Sequence, residues 1–152
     1  MKSAIAPYPG EAASAAQLLK LADEYRAAAH LLLKEQSRPK QPLSRAPFRL
    51  TAIHAIELYL NALLLHAGMD AAAIRGMKHD LSRRAKTAIT KGLVLRRLTA
   101  SHLDTIMGNR EYLTSRYGAE MTSSESQINR LTATLDEVAA KVAKVVSGKS
   151  QT

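Results

Sequence analysis

The stretch from Leu50 to Gly68, LTAIHAIELYLNALLLHAG, decides the fold. With Phe48 just before it, Ala52, Ile56, Leu60, Leu63 and Leu64 recur every three or four residues, a spacing that lines one face of an α-helix. A strand would need clean alternation, and there is none. Gly68 offers a left-handed C-cap, while Ser44 with Pro47 in the first turn predicts the start. This is the most apolar segment of the chain.

On its N-terminal side, SRPKQPLSRAPF carries Pro39, Pro42 and Pro47, which remove backbone donors and predict a loop. Before that loop, Leu18, Leu21, Tyr25, Leu32 and Leu33, with Ala22, Ala28 and Ala29 between them, predict a helix from Glu11 to Gln36. On the C-terminal side the pattern predicts three more helices. One starts at Asp80, turns Leu81, Ala85, Ala88 and Ile89 to the core and ends at Gly92. The next starts near Thr99 or Ser101, carries Leu103, Ile106, Met107 and Leu113, is weakened at Gly108 and ends near Tyr117. The last opens on a capping-box spelling from Thr122 to Glu125 and continues through Ile128, Leu131, Leu135, Val138, Val142 and Val145.

The expected organisation is all-α and single-domain, with about five helices. A tail at 1–10 precedes a bundle at 11–147, whose C-terminal helix occupies 123–147, and a second tail covers 148–152. Composition agrees: 46% of the 152 residues are hydrophobic, with one Phe and no Trp, a mix that favours helix over sheet. The absence of Cys excludes disulfides and thiolate metal sites. The opening residues do not read as a signal peptide, and no window reads as a membrane span, so a cytoplasmic location with no membrane partner is expected.

The net charge of +9 is unevenly placed. Arg75, Lys78, Arg83, Arg84, Lys86, Lys91, Arg96 and Arg97 face a single acid, Asp80, over a short stretch, which suits phosphates or an acidic partner. No phosphate loop, nucleophile elbow or zinc spacing occurs. His54 and Glu57 share a helix face, yet a di-iron centre needs a second Glu-His pair and more inward carboxylates, so no metal and no cofactor is expected. A buried polar cluster is the better reading of those two residues.

Three fragments in order, LTAIHAIELYLNALLLHAG, KHDLSRRAKTAITKGL (Lys78 to Leu93) and REYLTSRYG (Arg110 to Gly118), resemble the HEPN domain family over about 18–118. Their landmarks are Ala-Ile-Glu-Leu at 55–58, Lys-His-Asp-Leu at 78–81 and the Arg116-Tyr117 pair. The resemblance implies an up-and-down helical bundle, homodimerisation, and roles with RNA, nucleotides or toxin–antitoxin partners. It also gives the His79-Asp80 pair a structural role. His79 could bond Glu57 or a carbonyl, and Asp80 could accept amide protons of the next turn, making His54, Glu57, His79 and Asp80 one polar cluster.

Active members of that family cleave RNA without metal, using an Arg followed four to six residues later by a His. The region around Arg110 and Arg116 has no His. RLTASH supplies a formal match in Arg97 and His102, but it straddles a helix start and lacks the usual polar residue after the Arg. Three readings follow. The first is a noncatalytic RNA- or nucleotide-binding homodimer using Lys78, His79, Arg83, Arg84, Arg110 and Arg116. The second is a metal-independent RNase using Arg97 and His102 across a dimer interface, and the third is a protein-interaction module of a toxin–antitoxin pair.

Overall fold

The computed structural model describes residues 6–36, 38 and 40–148. Among them every regular element is helical: α1 (Ala15–Gln36), α2 (Ala46–His66), α3 (Ala71–Arg75), α4 (Leu81–Thr90), α5 (Arg97–Gly108), α6 (Glu111–Tyr117) and α7 (Ile128–Ser147). Short 3-10 turns at Pro42–Arg45 and Thr122–Ser124 lead towards α2 and α7. Tail residues 1–5 and 149–152, and Pro39 of the proline loop, lie outside the described residues.

The central element is α2. It buries residues on every side, among them Phe48, Ile56, Tyr59, Leu60, Leu63 and Leu64, and α1, α4, α6 and α7 all pack on it. Each such aliphatic or aromatic side chain contributes roughly 1.5–3 kcal/mol by leaving water. Pro42–His66 is also long and apolar enough to cross a bilayer, but 67% of its most apolar window is buried inside this fold, as befits a core helix. Its start differs from the sequence reading. Ser44 sits within the 3-10 turn, donating to the Gln41 carbonyl at 2.8 Å and accepting the Arg38 N–H at 2.9 Å, so α2 grows directly out of that turn.

The longest partner of α2 is α1. A capping box opens α1: the Ser14 N–H donates to Gln17 Oε1 at 2.9 Å and the Gln17 N–H to Ser14 Oγ at 3.1 Å. The helix therefore begins after Ser14 and not at Glu11. Its deepest positions are Ala22 and Ala29, both fully buried, and such small residues let the two backbones approach. Leu21 and Tyr25, expected in the core, are 45% and 38% exposed. Across the same interface the buried Tyr59 hydroxyl donates to Asp23 Oδ1 at 2.5 Å. Burial first, and then the Asp23 carboxylate, push that phenol above its ordinary range.

The C-terminal half departs most from the expected helix count. The single helix expected to run through Gly108 is two helices, because Arg110 adopts a left-handed φ of 51° and turns the chain between α5 and α6. A further short helix, α3, fills the α2–α4 connection. Ile89 points outward, 41% exposed, while Leu81, Ala85 and Ala88 are buried. Thr122 and Glu125 form no capping box; α7 starts later, at Ile128, and Glu125 turns inward. In the α7 stripe Leu131, Leu135, Val138 and Val142 are buried within the one chain, while Val145 near its end is 37% exposed.

Candidate functional site

The α2 face bearing His54, Glu57, Leu58, Asn61 and Leu65 follows one helical stripe. It forms one wall of a groove of about 740 Å³. Leu18 and Leu21 of α1 stand opposite; Ile74 and Arg75 of α3, with Lys78 and His79, complete the sides. Residues 8–10, assigned to the tail by the sequence reading, and Glu11, expected to open the first helix, also line it. There the Tyr8 N–H donates to Glu11 Oε2 at 3.2 Å and the Glu11 N–H to the Tyr8 carbonyl at 2.9 Å. This turn requires the φ of +90° that Gly10 supplies. The Arg75 guanidinium lies 4.4 Å from the Tyr8 ring centroid, a cation–π contact at the groove wall.

One corner of the groove holds a polar cluster. His79 Nδ1 lies 3.1 Å from Glu57 Oε1, and Arg84 Nη1 lies 3.9 Å from the same oxygen. Asp80 caps α4, its Oδ1 accepting the Arg83 N–H at 2.9 Å. Two residues before Asp80, Lys78 holds a left-handed φ of 52°, an arrangement that L-residues adopt at a cost of about 1–2 kcal/mol. His54 packs edge-on against Tyr25 with ring centroids 4.6 Å apart. Burial chiefly, with Arg116 and His79 adding and Glu57 opposing, holds its imidazole below the ordinary histidine range. His54, Glu57 and His79 are thus together at the groove, and Asp80 stands at the adjoining helix start.

The six expected ligand contacts divide. Lys78, His79 and Arg84 line the groove, while Arg83, Arg110 and Arg116 are exposed and do not. Arg84 is 2% exposed and committed to the fold: Nε donates to Asn61 Oδ1 at 2.7 Å and Nη2 to the Ile74 carbonyl at 3.2 Å. It is a buried clamp joining α2, α3 and α4, not the surface phosphate contact read from its place beside Arg83. Arg75, which lies over the Tyr8 ring, and Lys78 have no carboxylate partner among the described residues, which leaves two cations at the groove without an ion pair.

Within the chain, Arg97 and His102 are not brought together. Five residues apart on α5, they differ by about 140° around the helix. Arg97 is exposed on a separate cleft of about 560 Å³ near α7, whereas His102 is 7% exposed in the interior. Both imidazole nitrogens are engaged, Nδ1 with Thr134 Oγ1 and Nε2 with Ser126 Oγ, each at 2.7 Å. The Ser126 hydroxyl and N–H both donate to the carboxylate of Glu111, at 2.5 and 2.7 Å. Because that hydroxyl gives its proton to Glu111, it accepts from His102 Nε2–H, and Nδ1 must then accept from Thr134. Burial first, and the Arg130 charge second, push His102 down to about 4, so the imidazole is neutral at pH 7.

Arg49 completes this interior chain. Its Nη1 donates to the Ser126 carbonyl and lies 3.8 Å from Glu111 Oε1, while Nε lies 3.7 Å from Glu125 Oε2. Burial pushes the Glu125 carboxyl up, with Arg49 opposing and Glu111 adding. Sequence reading missed Glu111, Ser126 and Glu125 as one unit, since they meet only after α6 and α7 fold back. It also missed Asn61 and Tyr8. Asn61 had a visible signal, as a polar residue one turn after Glu57 in an otherwise apolar helix. Compared with protein-family models, curated proteins and solved structures, the chain matches none.

Proposed function

We propose that the chain is a noncatalytic, HEPN-like helical domain that binds a nucleotide in the groove between α1, α2 and the α3–α4 corner. The observation that carries this reading is the pairing of an apolar floor with two cations, Arg75 and Lys78, that have no carboxylate partner among the described residues. Leu18, Leu21, Leu58, Leu65 and Ile74 offer a flat heterocycle a dry surface, and Tyr8 offers it an aromatic edge. A volume of about 740 Å³ is in the range of small-molecule sites. A mononucleotide therefore suits it better than a long RNA, which would need an extended basic track with stacking platforms.

The noncatalytic part of the reading rests on His102. A neutral imidazole with both nitrogens spent on Thr134 and Ser126 has no free position from which to move a proton on a substrate. Titration calorimetry with AMP and GMP tests the proposal. Wild type should bind, and Lys78→Glu should weaken binding at least about tenfold at low salt, since one reversed charge beside a phosphate changes the interaction by well over 1.4 kcal/mol. Failure of wild type to bind either nucleotide would sink it.

A further inference from the structure

Two polar groups in the groove remain unspent after the fold is satisfied. Arg84 only donates, so the Asn61 atom facing its Nε at 2.7 Å must be the amide oxygen. The orientation of the carboxamide is thereby fixed. Its NH2 end has no hydrogen-bond partner among the described residues. One turn earlier on the same face, Glu57 gives Oε1 to His79 and Arg84, while its Oε2 has no such partner. Residues four apart on a helix have Cβ atoms about 6 Å apart, so this donor and this acceptor belong to the one α2 face that, with Leu58, lines the groove.

Inorganic phosphate, mainly an acceptor at neutral pH, cannot serve that pair, and sugar hydroxyls, which both donate and accept, meet it without distinguishing the donor position from the acceptor position. A ligand edge carrying an acceptor beside a donor, as every nucleobase does, satisfies both groups at once. We propose that Asn61 and Glu57 form a base-edge subsite, which makes the groove selective for the nucleobase portion of its ligand and not for phosphate alone. This rests on the nucleotide reading above. In it Asn61 donates to a ring nitrogen or carbonyl, Glu57 Oε2 accepts from an amino or ring N–H, and Arg75 and Lys78 take the phosphate.

The test uses AMP, purine riboside 5′-phosphate, which lacks the amino group, and ribose 5-phosphate, which lacks the base. Wild type should bind AMP about tenfold more tightly than purine riboside 5′-phosphate, the usual worth of a hydrogen bond to a charged acceptor. Asn61→Asp retains an oxygen for Arg84 and removes the NH2 donor. Because its added charge weakens every phosphate ligand, the readout is the ratio of AMP to ribose 5-phosphate affinity, which should fall several-fold. The first comparison needs no variant and stands even if Asn61→Asp fails to fold. AMP binding with no loss for purine riboside 5′-phosphate, or a ratio unchanged in a folded Asn61→Asp, would overturn the subsite alone. Absence of binding of both AMP and GMP to wild type would overturn the nucleotide reading and the subsite with it.

Discussion

The groove corner and the interior chain are built from the same residue types, a His, an Arg and a Glu with a small polar neighbour, yet they are opposites. Around His102, both ring nitrogens and the Glu111 carboxylate are used within the fold. Around His79, the imidazole is half exposed, and Asn61, Glu57, Arg75 and Lys78 keep hydrogen-bonding or charge capacity directed at the groove. Spent polar groups hold helices together; unspent ones beside an apolar floor can hold a ligand. The Arg-to-His spacing in sequence points to the first region, where the groups without hydrogen bonds, Arg49 Nε and Glu125 Oε2, are buried beside each other, whereas the unspent groups of the second line the groove.

The largest effect should come from breaking the interior chain. Glu111→Ala leaves Arg49 buried with only Glu125 nearby and Ser126 without its acceptor, so urea denaturation should show a loss of roughly 3–5 kcal/mol. Nucleotide affinity of the fraction that remains folded should be unchanged. A loss below about 1 kcal/mol would mean that the chain is not a unit.

Next in size is a pH effect. His102 titrates at about 4 in the folded chain against 6.5 when exposed, so the unfolded state takes up a proton first as pH falls. Its contribution to stability is fully present above pH 6.5 and is lost progressively down through about pH 4, on the order of 3 kcal/mol in all. Denaturation midpoints of wild type and His102→Gln across that window should diverge from each other accordingly. Parallel curves would contradict the neutral, buried imidazole.

The smallest stability change belongs to His79→Ala. Its side chain is 50% exposed, so losing the contact to Glu57 should cost no more than about 1 kcal/mol in thermal denaturation. A cost as large as that of Glu111→Ala would erase the distinction between the two regions.

Much of this arrangement could be read from the sequence, and the reasons for the rest are local. Helical periodicity made the all-helical class and the core stripe of α2 plain, because burial imposes a regular spacing. The α5–α6 break was hidden, since Gly108 suggested only weakness and the turn is made by Arg110, a residue with no intrinsic preference for a left-handed conformation. Arg84 looked like the neighbouring Arg83, as burial of an arginine depends on Asn61 and Ile74, far away in the chain. The groove residue Tyr8 was passed over because a stretch containing Pro and Gly reads as a tail until its contact with Arg75 is known.

The most direct measurement is a ¹H–¹⁵N correlation spectrum of the labelled chain titrated with AMP. The Asn61 side-chain NH2 and the backbone amides of Gly10, Arg75 and Lys78 should shift on binding, while the amides of His102, Ser126 and Thr134 stay in place. Shifts confined to Arg97, Arg130 and Lys141 around the second cleft, or no shifts at all, would contradict the groove as the nucleotide site.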